Sequence, residues 1–253
     1  MKVQRVLDAR VAGAVNLRDI GGYPAGDRRV RWGRVYRSGL THAITSEGLA
    51  TLAGELGIRT IIDLRTPAER RAGLLALGES GIRDIHVSLL DGDEVAEAVQ
   101  IERVMAMFAG TYDWAASYVE MVEARPAMLR LVFEALAEPG ALPAVVHCSG
   151  GRDRTGVTIG LLLAVLGVAP ETIAEDYALT GDLLTPHVQH FAGFALAAGL
   201  SVEDMARLVR TTPETMLTFL RRIEERYGSA ERTLLEAGIR PETIAALREA
   251  LLE

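Results

Sequence analysis

Apolar and polar positions follow two different rhythms along this chain. Over the first two thirds, short β-like apolar runs alternate with longer segments of helical spacing, which is the grammar of an α/β protein. The runs "RVYRS" (34–38), "RTIIDLR" (59–65), "IRDIHVSL" (82–89) and "PAVVHC" (143–148) predict strands. "TSEGLATLAGELG" (45–57) predicts a helix capped by Ser46 and stopped by its terminal glycine. From Ala169 onward the pattern predicts helices only. Pro170, Pro213 and Pro241 are each followed by Glu-Thr and an apolar residue; proline suits a first helical turn and glutamate its dipole. The similarity barely extends past these starts, so it is helix punctuation and not a repeat. Met216, Leu220, Ile223 and Tyr227 recur at helical spacing and give one core face, ending at Gly228. "HVQHFAGFALAAGL" (187–200) is apolar over much of its circumference and predicts either a buried helix or a lid, the lid region extending over 187–210. The expectation is a single domain over 1–253, with an all-helical C-terminal portion from 169 to 253.

Composition narrows the function classes. The 253 residues are 49% hydrophobic, enough for one large core. No charged start followed by a long apolar segment opens the chain, and the run Ile159 to Ala169 is too short to span a bilayer, so no integral membrane segment is expected. One cysteine allows no intrachain disulfide, which agrees with a reducing compartment and makes the cytoplasm the expected location. A net charge of -7 argues against nucleic acid as a partner. Lys2 is the only lysine, so arginine carries nearly all the positive charge. His187 and His190 lie one helical turn apart without a third ligand in sequence, and no metal site is expected there.

Each predicted strand delivers polar residues at its C-terminal end, where ligands collect in open α/β sheets. These are Arg37 and Ser38, Asp63 and Arg65, and the segment Cys148 to Arg154. In the last, Cys148 and Arg154 bracket Ser149, Gly150, Gly151, Arg152 and Asp153 between a strand end and a helix start. A loop of this length can turn successive backbone N–H groups inward as a nest for phosphate oxygens, with Arg154 adding a two-nitrogen fork. The same field and the helix N-terminus favour a thiolate at Cys148, able to attack phosphorus. Thr155 stands where its hydroxyl could serve the departing thiolate or simply start the helix. His147 is expected to organise the loop through hydrogen bonds. A plain buried cysteine before an ordinary turn would not require this order of nucleophile, glycines and arginine.

"HCSGGRDRTG" resembles the HCxxGKDRTG loop of the atypical bacterial tyrosine phosphatases of the PtpB type, relatives of the dual-specificity and phosphoinositide phosphatases. "NLRDIGGYP" (16–24), "VRWGRVYRSG" (30–39), "IRTIIDLRTPAE" (58–69) and "IEERYGSAERTLLEAGI" (223–239) resemble the same family in the same order. The resemblance implies a phosphatase fold with a central mixed sheet flanked by helices and a C-terminal helical lid. It implies hydrolysis of phosphotyrosine, with phosphoserine, phosphothreonine or phosphoinositide as further substrates, and neither a metal nor another cofactor. Partners would be phosphorylated protein or phosphoinositide; nothing in the sequence sets an oligomeric state.

Arg152 stands where the family commonly has lysine, which puts the substrate preference tied to that lysine in question. No WPD-type loop supplies a general acid, since "TYDW" (111–114) has Trp114 and Asp113 in the wrong order. The resemblance points to Asp153 within the loop as the acid. Asp63 is the alternative, or a partner for a nearby arginine, and Asp113 comes third. Asn16, Arg18 and Asp19 are expected close to the loop, bracing it, with Gly21 and Gly22 as turn residues. Two other readings remain: a rhodanese-like sulfurtransferase, whose usual loop is shorter, and a non-catalytic phosphate-binding module, which intact Cys148 and Arg154 disfavour.

Overall fold

A computed structural model describes residues 5–39, 41–73, 75–90, 106, 107, 109–191 and 201–253, apart from the side chains of His190, Phe191, Val202, Ala206 and Arg207. Strand β1 (Val15–Asp19) and a small hairpin, β2 (Pro24–Ala25) and β3 (Arg28–Arg29), precede β4 (Val35–Gly39). Helix α1 (Ser46–Ala50) continues through a π-helical turn (Thr51–Glu55) to β5 (Thr60–Asp63). Then come α2 (Pro67–Ala72), β6 (Arg83–His86), α3 (Trp114–Ala124), α4 (Pro126–Ala137) and β7 (Ala144–His147). The helical remainder is α5 (Asp153–Val165), α6 (Pro170–Leu184), a 3-10 segment (Thr185–Phe191), α7 (Val202–Leu208), α8 (Pro213–Tyr227), α9 (Ala230–Glu236) and α10 (Pro241–Leu251).

The main sheet has the order β1-β4-β7-β5-β6, with β1 antiparallel to β4 and the other pairs parallel, so it is mixed. Side chains alternate across it with period two. Tyr36, Ile61 and Val145 pack with Leu52 and Ile58 on one face. Val35, Ile62 and Val146 face the larger core, which holds Phe133 of α4, Leu161 of α5 and Phe219 of α8. Covered on both faces, β7 reads as a continuous apolar run. Its register sets Ser38 and Asp63 beside His147, so the three parallel strands end together.

Helix α5 is buried along almost its whole length. At Gly156 an added Cβ would lie 3.0 Å from the Tyr177 ring, which is how closely α6 crosses it. Helix α8 turns Met216, Leu220 and Ile223 inward as its spacing predicts, and ends at Gly228 with φ 83°. Pro170, Pro213 and Pro241 each open a helix.

Three elements depart from the sequence expectation. The cap before Ser46 is Thr45, whose side chain accepts from Gly48 N; Thr45 has extended backbone angles, whereas Ser46 is already helical. Strand β1 was not foreseen, because a register shift between Val15 and Arg18 and the left-handed Asn16 (φ 60°) break its alternation. The expected helix over 187–200 begins as the 3-10 segment, and residues 192–200 lie outside the described residues.

Candidate active site

Cys148 lies where β7 gives way to a loop, 2% exposed, and the loop closes on the first turn of α5. Among the described residues, no hydrogen bond uses the backbone N–H of Ser149, Gly150, Gly151 or Arg152. Unpaired amides beside a helix N-terminus make a ready anion site. The loop is held from behind at its two glycines. Asn16 Nδ2 donates to Gly150 O at 2.9 Å and Arg37 Nη2 to Gly151 O at 2.8 Å. The bulge in β1 is what aims Asn16 at the loop. Gly39 and Gly151 (φ 68°) let β4 and the loop touch backbone to backbone: a Cβ on Gly39 would fall 2.5 Å from Gly150 O, and one on Gly151 2.4 Å from Ser38 O.

Arg154 is held by Glu69, a residue with no expected role in the site. Its Nη1 and Nη2 donate to Glu69 Oε2 and Oε1 at 2.5 and 2.7 Å, while Ser149 Oγ donates to the same Oε1 at 2.6 Å. Glu69 also completes a capping box with Thr66 at the start of α2, so its carboxylate is fixed from both sides. The Thr-x-x-Glu spacing after a strand end is the signal that could have found it. Burial alone would push the Glu69 carboxyl up, but the Arg154 guanidinium outweighs it and brings it down to about 2. Burial would likewise lower Arg154, and the neighbouring Cys148 and Glu69 raise it instead. Both are charged at neutral pH. Glu69 occupies the end of the guanidinium, and Arg154 Nε has no acceptor among the described residues. Thr155 Oγ1 is buried with no hydrogen-bond partner.

The three candidate acids sit in different surroundings. Asp153, with its side chain 33% exposed, accepts from Tyr118 Oη at 2.5 Å and from Arg152 Nε at 3.0 Å. Tyr118 and Tyr177 share a 2.7 Å bond, and burial followed by the Asp153 charge pushes both phenols up, Tyr177 to about 12. Arg152 stacks on Trp114 at 4.1 Å and donates to the Leu208 carbonyl, joining the loop to the end of α7. Asp63 is buried in a two-nitrogen pair with Arg65 (2.9 and 2.8 Å); burial pushes it up, but Arg65 and His147 bring it below its ordinary value. Asp113 caps α3 through Ala116 N and pairs with Arg222 on the surface.

His147 is driven by burial down to about 4, partly offset by Asp63, and is therefore neutral. Its Nδ1 lies 3.2 Å from Thr41 Oγ1 and from Cys148 O. Arg18 reaches the loop only through Asn16, to whose Oδ1 it donates. Asp19 does not reach the loop: its carboxylate accepts from Gly21 N and Gly33 N, both at 2.7 Å, and so shapes the turn that contains Gly21 and Gly22.

The sequence profile described as a tyrosine phosphatase family matches residues 9–253. A protein of Cupriavidus necator named as a tyrosine-protein phosphatase is 32% identical, over 88% of this chain and 81% of its own. The triple specificity protein phosphatase PtpB of Mycobacterium tuberculosis is 26% identical over 95% and 97%. A tyrosine-protein phosphatase of Nostoc commune is 26% identical over 76% and 66%. With the match running from β1 to the last helix and taking in the whole loop, the chain belongs to the tyrosine phosphatase family.

Proposed function

We propose that this phosphatase hydrolyses phosphate monoesters, phosphotyrosine in protein foremost, through a phosphocysteine intermediate. The observation that carries this reading is the buried Cys148 beside a loop whose amides and Arg154 Nε have no partner among the described residues. In the first step the Cys148 thiolate forms a bond to phosphorus as the bond to the leaving oxygen breaks, and Asp153 protonates that oxygen. In the second, water attacks phosphorus, Asp153 takes its proton, and the P–S bond breaks to return the thiolate and release phosphate. Arg154 and the loop amides hold the three equatorial oxygens throughout. The unpartnered Thr155 hydroxyl supports a bond to the departing thiolate.

Two observations favour phosphotyrosine. A thiol this deep suits a long, flat aryl ester better than the shorter phosphoserine side chain. Arg152, engaged by Asp153, Trp114 and the Leu208 carbonyl, is not open to read a second phosphate on an inositol ring. Phosphoserine, phosphothreonine and phosphoinositide are therefore lesser substrates. We further read 1–253 as one domain, since the larger core runs from Ile20 to Leu252, and its place as the cytoplasm, where its single thiol stays reduced. No helix among the described residues is long and apolar enough to cross a membrane.

Phosphate release from phosphotyrosine peptides, phosphoserine peptides and phosphoinositides, measured side by side, tests the reading. The expected order puts phosphotyrosine first in kcat/KM. A higher value on phosphoinositide would overturn the substrate assignment, and tight binding without release would leave a silent phosphate-binding module.

The acid is tested by leaving group. Asp153→Asn is expected to slow an alkyl phosphate by about 10²-fold, and an activated aryl phosphate far less, because only a basic leaving oxygen needs the proton. Asp63→Asn is expected to slow both alike, since Asp63 holds Arg65. The reverse pattern in the two variants would move the acid to Asp63.

A further inference from the structure

Behind the phosphate loop, the fold buries two guanidiniums around one carboxylate. Arg18 of β1, Arg37 of β4 and Asp176 of α6 are each at most 1% exposed. Asp176 Oδ1 accepts from Arg18 Nε at 3.0 Å and from the Tyr23 hydroxyl at 2.9 Å, and Oδ2 accepts from Arg37 Nη1 at 2.6 Å. Burial would push the Asp176 carboxyl up, but the two arginines hold it well below its ordinary range. The same environment lowers Arg37, burial and the Arg18 charge outweighing Asp176. Among the described residues no second carboxylate pairs with either arginine, and Arg37 Nε is buried without an acceptor. One positive charge is left uncompensated where burying charge is most costly.

The cluster grips the phosphate loop. The second Arg37 nitrogen donates to the Gly151 carbonyl, and Arg18 holds the Oδ1 of Asn16, whose Nδ2 donates to the Gly150 carbonyl. Across a trans peptide the C=O and the following N–H point in opposite directions. Drawing the Gly150 and Gly151 carbonyls toward β1 and β4 therefore turns the amides of Gly151 and Arg152 the other way.

We propose that Asp176 is a positioning residue: by holding Arg18 and Arg37 in place it aims the Gly151 and Arg152 amides at the phosphate group in the loop. The proposal rests on the phosphatase reading above. It separates cleanly from a purely electrostatic role, because Asp176→Asn makes the buried cluster more positive. Field strength alone would tighten anion binding in that variant; loss of aim would weaken it.

The experiment measures dissociation constants of inorganic phosphate and of vanadate for the wild type, Asp176→Asn and Arg37→Lys, with thermal unfolding as the check on folding. Arg37→Lys keeps the charge but replaces two nitrogens serving two acceptors with one. Both variants are expected to bind about tenfold more weakly, the loss of about one charge-assisted hydrogen bond, with kcat falling as well. Tighter binding by Asp176→Asn, or unchanged binding by a folded Arg37→Lys, would overturn the proposal. Should Asp176→Asn fail to fold, Arg37→Lys decides alone, since it leaves the Arg18 pair with Asp176 in place. Failure of the wild type to bind either anion would remove the phosphatase reading itself, and the proposal with it.

Discussion

Cys148→Ser is expected to lose turnover by a factor on the order of 10⁶, the scale on which removal of a covalent nucleophile is felt, while still binding phosphate and vanadate. A serine hydroxyl at neutral pH is almost wholly protonated, and the adjacent His147 is not turned to serve as its base: its Nδ1 faces Thr41 and the Cys148 carbonyl, and its Nε2 faces Asp63 at 3.7 Å. The anion site survives because it is made of backbone amides held by Asn16 and Arg37, neither of which touches the thiol. Single-turnover assays and anion titration on the same preparation check both halves. Substantial turnover by the serine variant would exclude Cys148 as the nucleophile, and loss of anion binding in a folded protein would mean that the thiol also shapes the loop.

Arg154→Lys is expected to lower kcat/KM by about 10²–10³-fold, the range for loss of one preorganised charge-stabilising donor. The guanidinium divides its work: Nη1 and Nη2 are committed to Glu69, which leaves Nε and the remaining Nη2 hydrogen for phosphate. An ammonium is a single point of charge, so a lysine drawn to Glu69 has no second edge to offer. The loss should appear in kcat as well as in KM, because the fork matches the equatorial oxygens of the transition state. Near-normal kcat/KM would take Arg154 out of the site. Glu69 explains why the conservative change is so severe.

Segments whose meaning is local are legible in the sequence. The strand-loop-helix around Cys148 is contiguous, and its glycines and terminal arginine carry their reasons within seven residues. The apolar stripe of α8 and its Gly228 stop are equally local. The expected strands over 59–65 and 143–148 run one or two residues past the observed ends, the one over 34–38 sits one residue ahead of Val35–Gly39, and the one over 82–89 is cut back to Arg83–His86. Periodicity marks where apolar side chains recur, whereas a strand ends where its ladder partner does.

What stayed hidden was long-range. Glu69 meets Arg154 across 85 residues, Asn16 meets Gly150 across 134, and Asp176 meets Arg18 across 158. Thr66 calls for Glu69 as a helix cap, but nothing near any of the three in sequence names its distant partner. Asp19, placed near the loop by its position in "NLRDIGG", turns instead to its own glycine turn, since successive strand residues point to opposite faces. The chain's order of residues brings a cysteine, two glycines and an arginine into one loop, because a short span of backbone between a strand and a helix has few ways to close. The strand order β1-β4-β7-β5-β6 decides which carboxylate holds that arginine and which cations stand behind the loop's carbonyls. A buried charge finds its partners only among the groups the packed sheet brings within about 3 Å, and the packing of its two apolar faces decides which groups those are.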